Sequence, residues 1–565
     1  MKSCEFAVLF TPEGKQLALH PSKPWNVHPR PQRKRDSFFC LNGPWEFSVN
    51  DGESEEILVP FPPESLLSGI HRRLGPRPKL YYRRTFALPA GFLRNRVLLH
   101  FGAVDQTAEV FFNNSFVGRH TGGYEPFSFD VTPFLAEKNV VEVCVTDELD
   151  THVLPYGKQC EKRGGMWYTP VSGIWQTVWL ESVPETYVRD LRIETGTDSA
   201  DIFADGVSDG TVTVRTPTGT VDVPLKDGHA HIVPEHPRMW SPEDPYLYEF
   251  TIRAGEDTVQ SYFALRTLDI RTVDGIPRLC LNGKPYFFHG LLDQGYWSDG
   301  LFTPASPVCY ENDIRAMKEL GFNMLRKHIK TEPEQFYYDC DRLGMVVFQD
   351  MVNNGAYSFL RDTALPTIGL KRLPDKHLHR DKETREAFET AMEETVRRLY
   401  SHPCICCWTI FNEGWGQFDS GRMYRKLKEL DTTRFIDTAS GWFTGAESDV
   451  VSPHVYFKPV KLKKADKPLV LSEFGGYSYK PEGHAFNLTK TYGYKFFSKQ
   501  EDFENSLVKL YEDEIIPAVP MGLCAAVYTQ VSDVEDETNG LLSYDRRVRK
   551  VDAARMKKIA EKLKI

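Results

Sequence analysis

Trp408-Thr409-Ile410-Phe411-Asn412-Glu413-Gly414 is an apolar run that ends in Asn-Glu and a glycine. Leu469-Val470-Leu471-Ser472-Glu473-Phe474-Gly475-Gly476 repeats this pattern 60 residues later along the chain, counted from Glu413 to Glu473. Each run predicts a buried β-strand, and each glycine predicts a turn after it. Reactive side chains of a parallel barrel lie where its strands end. We therefore take Glu413 and Glu473 as the leading candidates for chemistry at one shared site.

The region around these segments, residues 269–565, alternates strand and helix patterns. Phe388, Met392, Val396 and Leu399 fall on one face of a predicted helix. Short apolar segments predict strands, and a basic amphipathic segment closes the chain; the strands are at 345–348, 405–411, 469–471 and 523–528, and the helix at 552–564. This alternation predicts a parallel (β/α)8 TIM barrel.

The N-terminal part predicts two β-domains. Residues 1–183 read as all-β and predict a jelly-roll sandwich, with strand candidates at 97–101, 108–112, 140–145 and 173–180. Residues 184–268 repeat the pattern on a smaller scale, with candidates at 201–203, 210–214 and 246–253, and contain no predicted helix. This second segment fits an immunoglobulin-like β-sandwich.

Composition narrows the classes of partner. The 565-residue chain carries 78 acidic and 69 basic residues, for a net charge of -9. This balance argues against a nucleic acid or an anionic membrane as partner, since either would need a basic face. No apolar run approaches the ~18 residues of a membrane span.

The cysteines indicate a reducing compartment. There are eleven, an odd number, and Cys404, Cys406 and Cys407 cluster just before a predicted strand. A metal site would need further His or Cys ligands at suitable spacing, and buried thiols are the favoured alternative. We therefore predict a cytoplasmic protein.

Two carboxyl groups facing each other suit glycoside hydrolysis, in which one donates a proton to the leaving oxygen and the other attacks the sugar. The alternative is that each glutamate caps a following helix or pairs with a surface cation. A lone Asn-Glu would favour that alternative. Two glutamates in matching strand-end contexts favour the catalytic pair.

Several motifs resemble family-2 glycoside hydrolases, the group of β-galactosidases, β-glucuronidases and β-mannosidases. They are Leu41-Asn42-Gly43-Pro44-Trp45-Glu46-Phe47, Ser172-Gly173-Ile174-Trp175, Leu281-Asn282-Gly283-Lys284-Pro285, His289-Gly290, Gly321-Phe322-Asn323-Met324-Leu325-Arg326 and Cys340-Asp341-Arg342-Leu343-Gly344. The resemblance covers nearly the whole chain. It implies a retaining mechanism with Glu413 as general acid/base and Glu473 as nucleophile.

The resemblance also implies binding residues. Asn412 would donate to the sugar 2-hydroxyl, and Tyr456 would hydrogen-bond the nucleophile unless it is a core tyrosine. His328 and Lys330 lie where the family often has Ser-His-Tyr-Pro, but this chain reads Lys327-His328-Ile329-Lys330. Asp350 would either bind a hydroxyl or hold Arg326.

Other candidates follow the first and last barrel strands: Asp293, Gln294, Tyr296, Trp297, Tyr528, Gln530 and Asp533. Trp297 and Tyr528 would stack on the sugar, with a packed aromatic as the alternative for each. Loops near residues 147–150 of the first domain are expected to reach over the barrel mouth.

The sequence identifies the substrate sugar less closely than it identifies the reaction. Family β-glucuronidases carry Asn-x-Lys near the last strand, whereas this chain has Asn539-Gly540-Leu541. A neutral sugar, with β-galactosides as first choice, is therefore predicted. The alternatives are glucuronides or galacturonides with Lys330 as substitute cation, mannosides and arabinosides.

We predict no organic cofactor and no metal, because neither a phosphate-binding glycine motif nor an acid–histidine cluster near Glu413 is evident. A carbohydrate is the expected partner, and a homo-oligomer is compatible with this class. Two rival hypotheses are a non-catalytic carbohydrate-binding protein and a metal-dependent hydrolase.

Overall fold

The C-terminal region forms a parallel eight-stranded barrel, as predicted. In this computed structural model, which describes residues 6–21, 24–365, 374–443 and 447–565, we label its strands β1 to β8. They are β1 Phe288–Asp293, β2 Met324–Lys327, β3 Val346–Asp350, β4 Ile405–Asn412, β5 Phe435–Ser440, β6 His454–Val455, β7 Leu469–Gly475 and β8 Leu523–Thr529. The order in the sheet is β5-β4-β3-β2-β1-β8-β7-β6.

The barrel is nearly closed. Among the described residues no strand ladder joins β5 to β6, but the Gly441 N–H donates to the Ser452 carbonyl at 2.9 Å and links the segments that follow β5 and precede β6. Every residue of β4 and of β7 is buried. These strands are therefore apolar on both faces, which is why they read as continuous apolar runs in the sequence.

A helix follows each of six of the eight strands. They are Val308–Glu319, Glu334–Leu343, Lys382–Leu399, Ser420–Leu430, Gln500–Leu510 and Ala553–Lys562. Phe388, Met392, Val396 and Leu399 are buried on the Lys382–Leu399 helix, which confirms the predicted face. No helix follows β5 or β6 in the described parts of the segments after these strands. None of the described helices is long and apolar enough to cross a membrane.

The first region is an antiparallel sandwich with its own core, which includes Trp45, Phe47 and Leu99. One sheet has the order Phe38–Cys40, Val178–Val183, Arg96–Phe101, Phe127–Asp130. The other has the order Glu55–Val59, Gly43–Val49, Lys79–Phe86, Asn139–Thr146, Thr107–Phe112, Ser115–Thr121. This is the predicted jelly-roll architecture.

The second region is a smaller sandwich around a separate core, which includes Ile202, Val212 and Ile252. Its sheets have the orders Asp190–Thr195, Ala200–Asp205, His229–Ile232 and Gly219–Leu225, Gly210–Thr216, Tyr248–Ala254, Asp257–Phe263. A hairpin of Leu268–Val273 and Ile276–Leu281 then leads into the barrel. The immunoglobulin-like prediction is confirmed.

One helix departs from the all-β prediction for the first 183 residues. It spans Pro12–Leu19, with Thr11 as its N-cap and Pro12 at its first position. The Thr11 side chain and N–H both donate to Asp299 of the barrel, at 2.7 and 2.8 Å. The helix therefore lies against the barrel. Its segment has too few apolar residues to show helical periodicity in the sequence.

Candidate active site

The two strand-end glutamates come together as predicted. A carboxylate oxygen of Glu413, one of Glu473 and a ring nitrogen of His454 all lie within 4.8 Å of one another. The glutamates are 9% and 5% exposed, respectively. Because β4 and β7 stand on opposite sides of the β5–β6 opening, their ends face each other across it.

Glu413 leaves its strand through a sharp turn. Its φ of 49° is in the left-handed region, which costs a non-glycine residue roughly 1–3 kcal/mol and persists only where surrounding contacts impose it. Those contacts include its N–H, which donates to the Ser440 carbonyl at 3.0 Å. Gly441 leaves the necessary room, because a Cβ there would lie 3.2 Å from the Glu413 Cγ. The Glu413 carboxyl group then lies 2.8 Å from Nδ1 of His454.

Glu473 lies among hydrogen-bond donors. Arg326 donates to its Oε1 at 3.0 Å, and the Tyr456 hydroxyl donates to its Oε2. Burial raises the pKa of Glu473, but the charges of His454 and Arg326 and the Tyr456 hydrogen bond outweigh that effect and lower it to about 2. The Tyr456 ring is held by stacking on Tyr494, with centroids 3.9 Å apart.

Arg326 joins the two strand ends. Its five N–H groups donate to Asp350, to Ser472 and Glu473 of β7, and to Asn412 and Ser440, all at 2.9 or 3.0 Å. The side chain is 1% exposed. A planar guanidinium with every donor engaged is a rigid connector, so the positions of both glutamates depend on it.

Asn412 is oriented by the same network. Its Oδ1 accepts from Arg326 and from the Ser440 hydroxyl, each at 2.9 Å. Among the described residues, the Asn412 amide N–H groups have no partner. The acceptor end therefore faces the protein, and the donor end is left for a ligand.

Asp350 holds Arg326, which is one of its two predicted roles. Its Oδ1 accepts from Arg326, and its Oδ2 lies 2.8 Å from Nδ1 of His328. Burial opposes ionisation of Asp350, but Arg326 and His328 lower its pKa. Burial, together with the charge of Lys158, lowers the pKa of His328 to about 4, so its imidazole is neutral near pH 7.

Five further candidates are engaged by the protein itself. Lys330 donates to the carbonyls of Gly295 and Phe302 and to Glu332, at 2.6–2.9 Å. Asp293 accepts from Lys327 at 2.7 Å, and the Gln530 amide bonds Gln294, Glu537 and Asn539. Trp297 and Tyr528 are 3% and 0% exposed. The packed alternative therefore fits both aromatics, and the Lys330 ammonium has no donor left for a substrate.

His454 is the residue that sequence reasoning missed. The expectation that no acid–histidine cluster lies near Glu413 is wrong, because His454 is 41 residues away in sequence and starts β6. Its Nε2 lies 3.6 Å from Glu473 and 3.4 Å from Arg326. Glu413, His454 and Glu473 could together ligate a cation. Such a cation would lie beside the Arg326 guanidinium, whose charge opposes it.

The first domain also contacts the barrel mouth, through a segment just after the predicted 147–150 loop. The His152 carbonyl accepts from the Gly355 N–H at 2.8 Å, and the Tyr156 N–H donates to the Asn353 carbonyl at 3.0 Å. Trp167 stacks on Trp415, two residues after Glu413, with centroids 5.2 Å apart. Asp150 itself pairs with Arg77 in an exposed position.

The chain is similar in sequence to known β-galactosidases and β-glucuronidases. It is 24% identical to a β-galactosidase of Thermoanaerobacter pseudethanolicus over 69% of this chain and 52% of that protein. It is 25% identical to a β-glucuronidase of Bacteroides fragilis over 71% of this chain and 60% of that one. The chain thus spans about half to three-fifths of these curated relatives. A solved β-D-glucuronidase from Dictyoglomus thermophilum has the same fold, with a TM-score of 0.73, 18% identity and coverage of 94% of this chain and 98% of that one.

Family models match along the chain. The model described as "Glycosyl hydrolases family 2, sugar binding domain" matches residues 73–184, and "Glycosyl hydrolases family 2" matches 186–266. The model described as "Glycosyl hydrolases family 2, TIM barrel domain" matches residues 274–565, more than half of the sequence. The chain therefore belongs to family 2 of the glycosyl hydrolases.

Proposed function

We propose that this protein is a retaining β-glycosidase that removes a terminal β-linked sugar by double displacement. The observation that carries the proposal is the approach of a Glu413 oxygen to within 4.8 Å of a Glu473 oxygen. Retaining enzymes hold their two carboxyl groups ~5–5.5 Å apart, whereas inverting enzymes leave ~6.5–9.5 Å for a water molecule. An approach this close is consistent with the retaining range and lies below the inverting one.

Glu473 is the proposed nucleophile. With its pKa lowered to about 2, its carboxylate is charged over the whole neutral range and can attack the anomeric carbon. Burial chiefly raises the pKa of Tyr456, so its phenol stays neutral and keeps donating to the carboxylate. The attack forms a bond from Glu473 to the sugar and releases the aglycone.

Glu413 is the proposed acid and then base. When it holds a proton, its O–H can donate to His454 Nδ1, and the Nε2–H of that ring then faces Glu473. When Glu413 is ionised, Nδ1–H donates to it. His454 thus provides a suitable partner for both protonation states, which the two half-reactions require.

Asn412 is the proposed contact to the 2-hydroxyl group. Its amide oxygen is fixed by Arg326 and Ser440, so its N–H groups are preorganised to donate. A donor placed in advance stabilises the oxocarbenium-like transition state without reorganising. His328, which is neutral and adjoins Asp350, is a further proposed hydroxyl contact.

We propose the sugar at the level of a β-linked pyranoside, either a neutral one such as a β-galactoside or the corresponding uronic acid. The names of the relatives include both β-galactosidases and β-glucuronidases. Lys330 does not favour acidic sugars, since its ammonium is bonded to Glu332 and two carbonyls.

A panel of aryl β-glycosides tests the proposal. We expect the folded protein to hydrolyse at least one neutral or acidic member, and incubation with a chelator to leave that rate unchanged. Absence of turnover on every member, with the protein shown to be folded, would count against a glycosidase. A rate abolished by the chelator and restored by a divalent ion would instead support the metal-dependent hydrolase.

A further inference from the structure

Lys158 lies in the first-domain segment that contacts the barrel mouth. The neighbouring Gly157 has a φ of +67°, and a Cβ there would lie 2.8 Å from the Ile329 carbonyl oxygen. Only glycine allows this approach to the residue that follows His328. With the Tyr156 N–H donating to Asn353, the backbone on the N-terminal side of Lys158 is fixed to the segments after β2 and β3.

The Lys158 ammonium is buried, and no carboxylate among the described residues forms an ion pair with it. The residue is 7% exposed, and its Nζ lies 5.6 Å from the ring centroids of both Tyr168 and Trp415. The part of the chain that the structure describes contains four buried lysines, namely Lys158, Lys327, Lys330 and Lys550. The other three pair with carboxylates at 2.6–2.9 Å. For Lys158, no hydrogen bond or ion pair of the ammonium is found among the described residues.

The position of this charge is at the active site. Trp415 belongs to the turn that presents Glu413, and the Lys158 charge helps to lower the pKa of His328, which follows β2. Burial raises the pKa of Glu537 overall, and Lys158 is the main influence that opposes this rise. Glu473 acts electrostatically on both His328 and Glu537. The Lys158 charge therefore acts on two groups on which the nucleophile Glu473 also acts.

A buried ammonium is costly unless a carboxylate pairs with it closely, and Glu537 acts on Lys158 without forming an ion pair. The aromatic faces of Tyr168 and Trp415 compensate only in part. A hydroxyl group of a neutral sugar would satisfy one donor without neutralising the charge. A carboxylate would do both, and three N–H donors remain for it.

We infer that Lys158, supplied by the first domain, binds a carboxylate of the sugar in this site and makes hexuronides the preferred substrates. The inference rests on the proposed glycosidase function and names its substrate class. Leu541 lies where family β-glucuronidases carry lysine, which favours a neutral sugar. In the structure, the first domain provides a different cation, Lys158. The order of residues in the sequence does not reveal that it lies near the site.

The test uses matched aryl substrates that differ only at C6: β-galactoside with β-galacturonide, and β-glucoside with β-glucuronide. We expect the wild-type protein to have the higher kcat/KM on the acidic member of at least one pair. Lys158→Met should lower the acidic-to-neutral ratio of kcat/KM by about 100-fold, as expected for loss of one partner of a desolvated charge pair. Lys158→Arg should retain part of the ratio. Lys162→Met removes an exposed lysine of the same segment and should leave the ratio unchanged.

The outcomes separate the two proposals. Preference of the wild-type protein for neutral members, or an equal loss on both members in Lys158→Met, would overturn the role of Lys158 while leaving the glycosidase intact. If no substrate turns over, the glycosidase proposal fails. Calorimetric binding of free galacturonate and glucuronate, against galactose and glucose, then tests Lys158 independently. Binding of the acids that is no tighter than that of the neutral sugars would contradict the inference.

Discussion

The ends of β4 and β7 have the same sequence pattern and different surroundings. Each has an apolar strand, a glutamate and a glycine, and both glutamates are buried. Glu473 accepts from Arg326 and Tyr456, whereas Glu413 has a strained backbone and His454 as its side-chain partner among the described residues. The strand therefore determines where a carboxyl group lies, whereas residues from other strands determine its charge. This difference supports the proposed assignment of attack to β7 and of proton transfer to β4.

The largest effect is expected at the end of β7. Glu473→Gln keeps the shape and removes the nucleophile, so hydrolysis of aryl glycosides should fall on the order of 10⁴-fold or more. Initial rates with a good leaving group measure this loss. Glu482→Gln, which changes an exposed glutamate nine residues later, should behave like the wild-type protein. A Glu473→Gln variant with more than a few per cent of the wild-type rate would remove Glu473 from its proposed role.

A smaller and conditional effect is expected at the end of β4. Glu413→Gln should cost about 10²–10⁴-fold on substrates with poor leaving groups, because these need a proton donor. With a dinitrophenyl leaving group the first step needs no acid, and the loss should be much smaller. A series of aryl leaving groups measures this dependence. Equal losses across the series would contradict the assignment of proton transfer to β4.

Asn412 adjoins Glu413 and tests whether the β4 end also binds the sugar. Asn412→Ala should lower kcat/KM about 100-fold on an ordinary glycoside, since it removes a preorganised donor to the 2-hydroxyl. On a matched 2-deoxy glycoside the wild-type protein and the variant should differ little. The same loss on both substrates would mean that Asn412 acts only by holding Arg326.

Tyr456 tests the charge of the β7 end. Tyr456→Phe removes a donor to Glu473 and should lower kcat about 10-fold. Because the pKa of Glu473 is depressed, the carboxylate is ionised above about pH 2 and is lost only as pH falls through that value. The variant has a higher Glu473 pKa, so the acid limb of its kcat/KM profile should move upward. An unchanged acid limb, measured over the pH range in which the fold survives, would contradict this origin of the charge.

The sequence predicted the parts of this arrangement that depend on one strand at a time. Fully buried strands read as apolar runs, and a glutamate before a glycine marks the strand end, which located Glu413 and Glu473. The helix on the Pro12–Leu19 segment was missed because its stability comes from contacts to Asp299 rather than from periodicity.

The surroundings of the glutamates could not be predicted in this way. His454 is two residues before Tyr456, and nothing in Pro453-His454-Val455 shows that its ring reaches across to Glu413. For Lys330 and Lys158 too, the sequence does not reveal the contacts of the side chain. Only the fold shows that Lys330 is bonded to Glu332, and that Lys158 comes from another domain and forms no ion pair with the described residues.

The stereochemistry of the reaction tests the account most directly. Proton NMR of an aryl β-glycoside during the first minutes of hydrolysis shows which anomer is released before mutarotation. Because an oxygen of Glu413 lies within 4.8 Å of one of Glu473, as the retaining geometry requires, we predict that the β-anomer appears first. Initial release of the α-anomer would show inversion and would contradict the role of Glu473 as nucleophile.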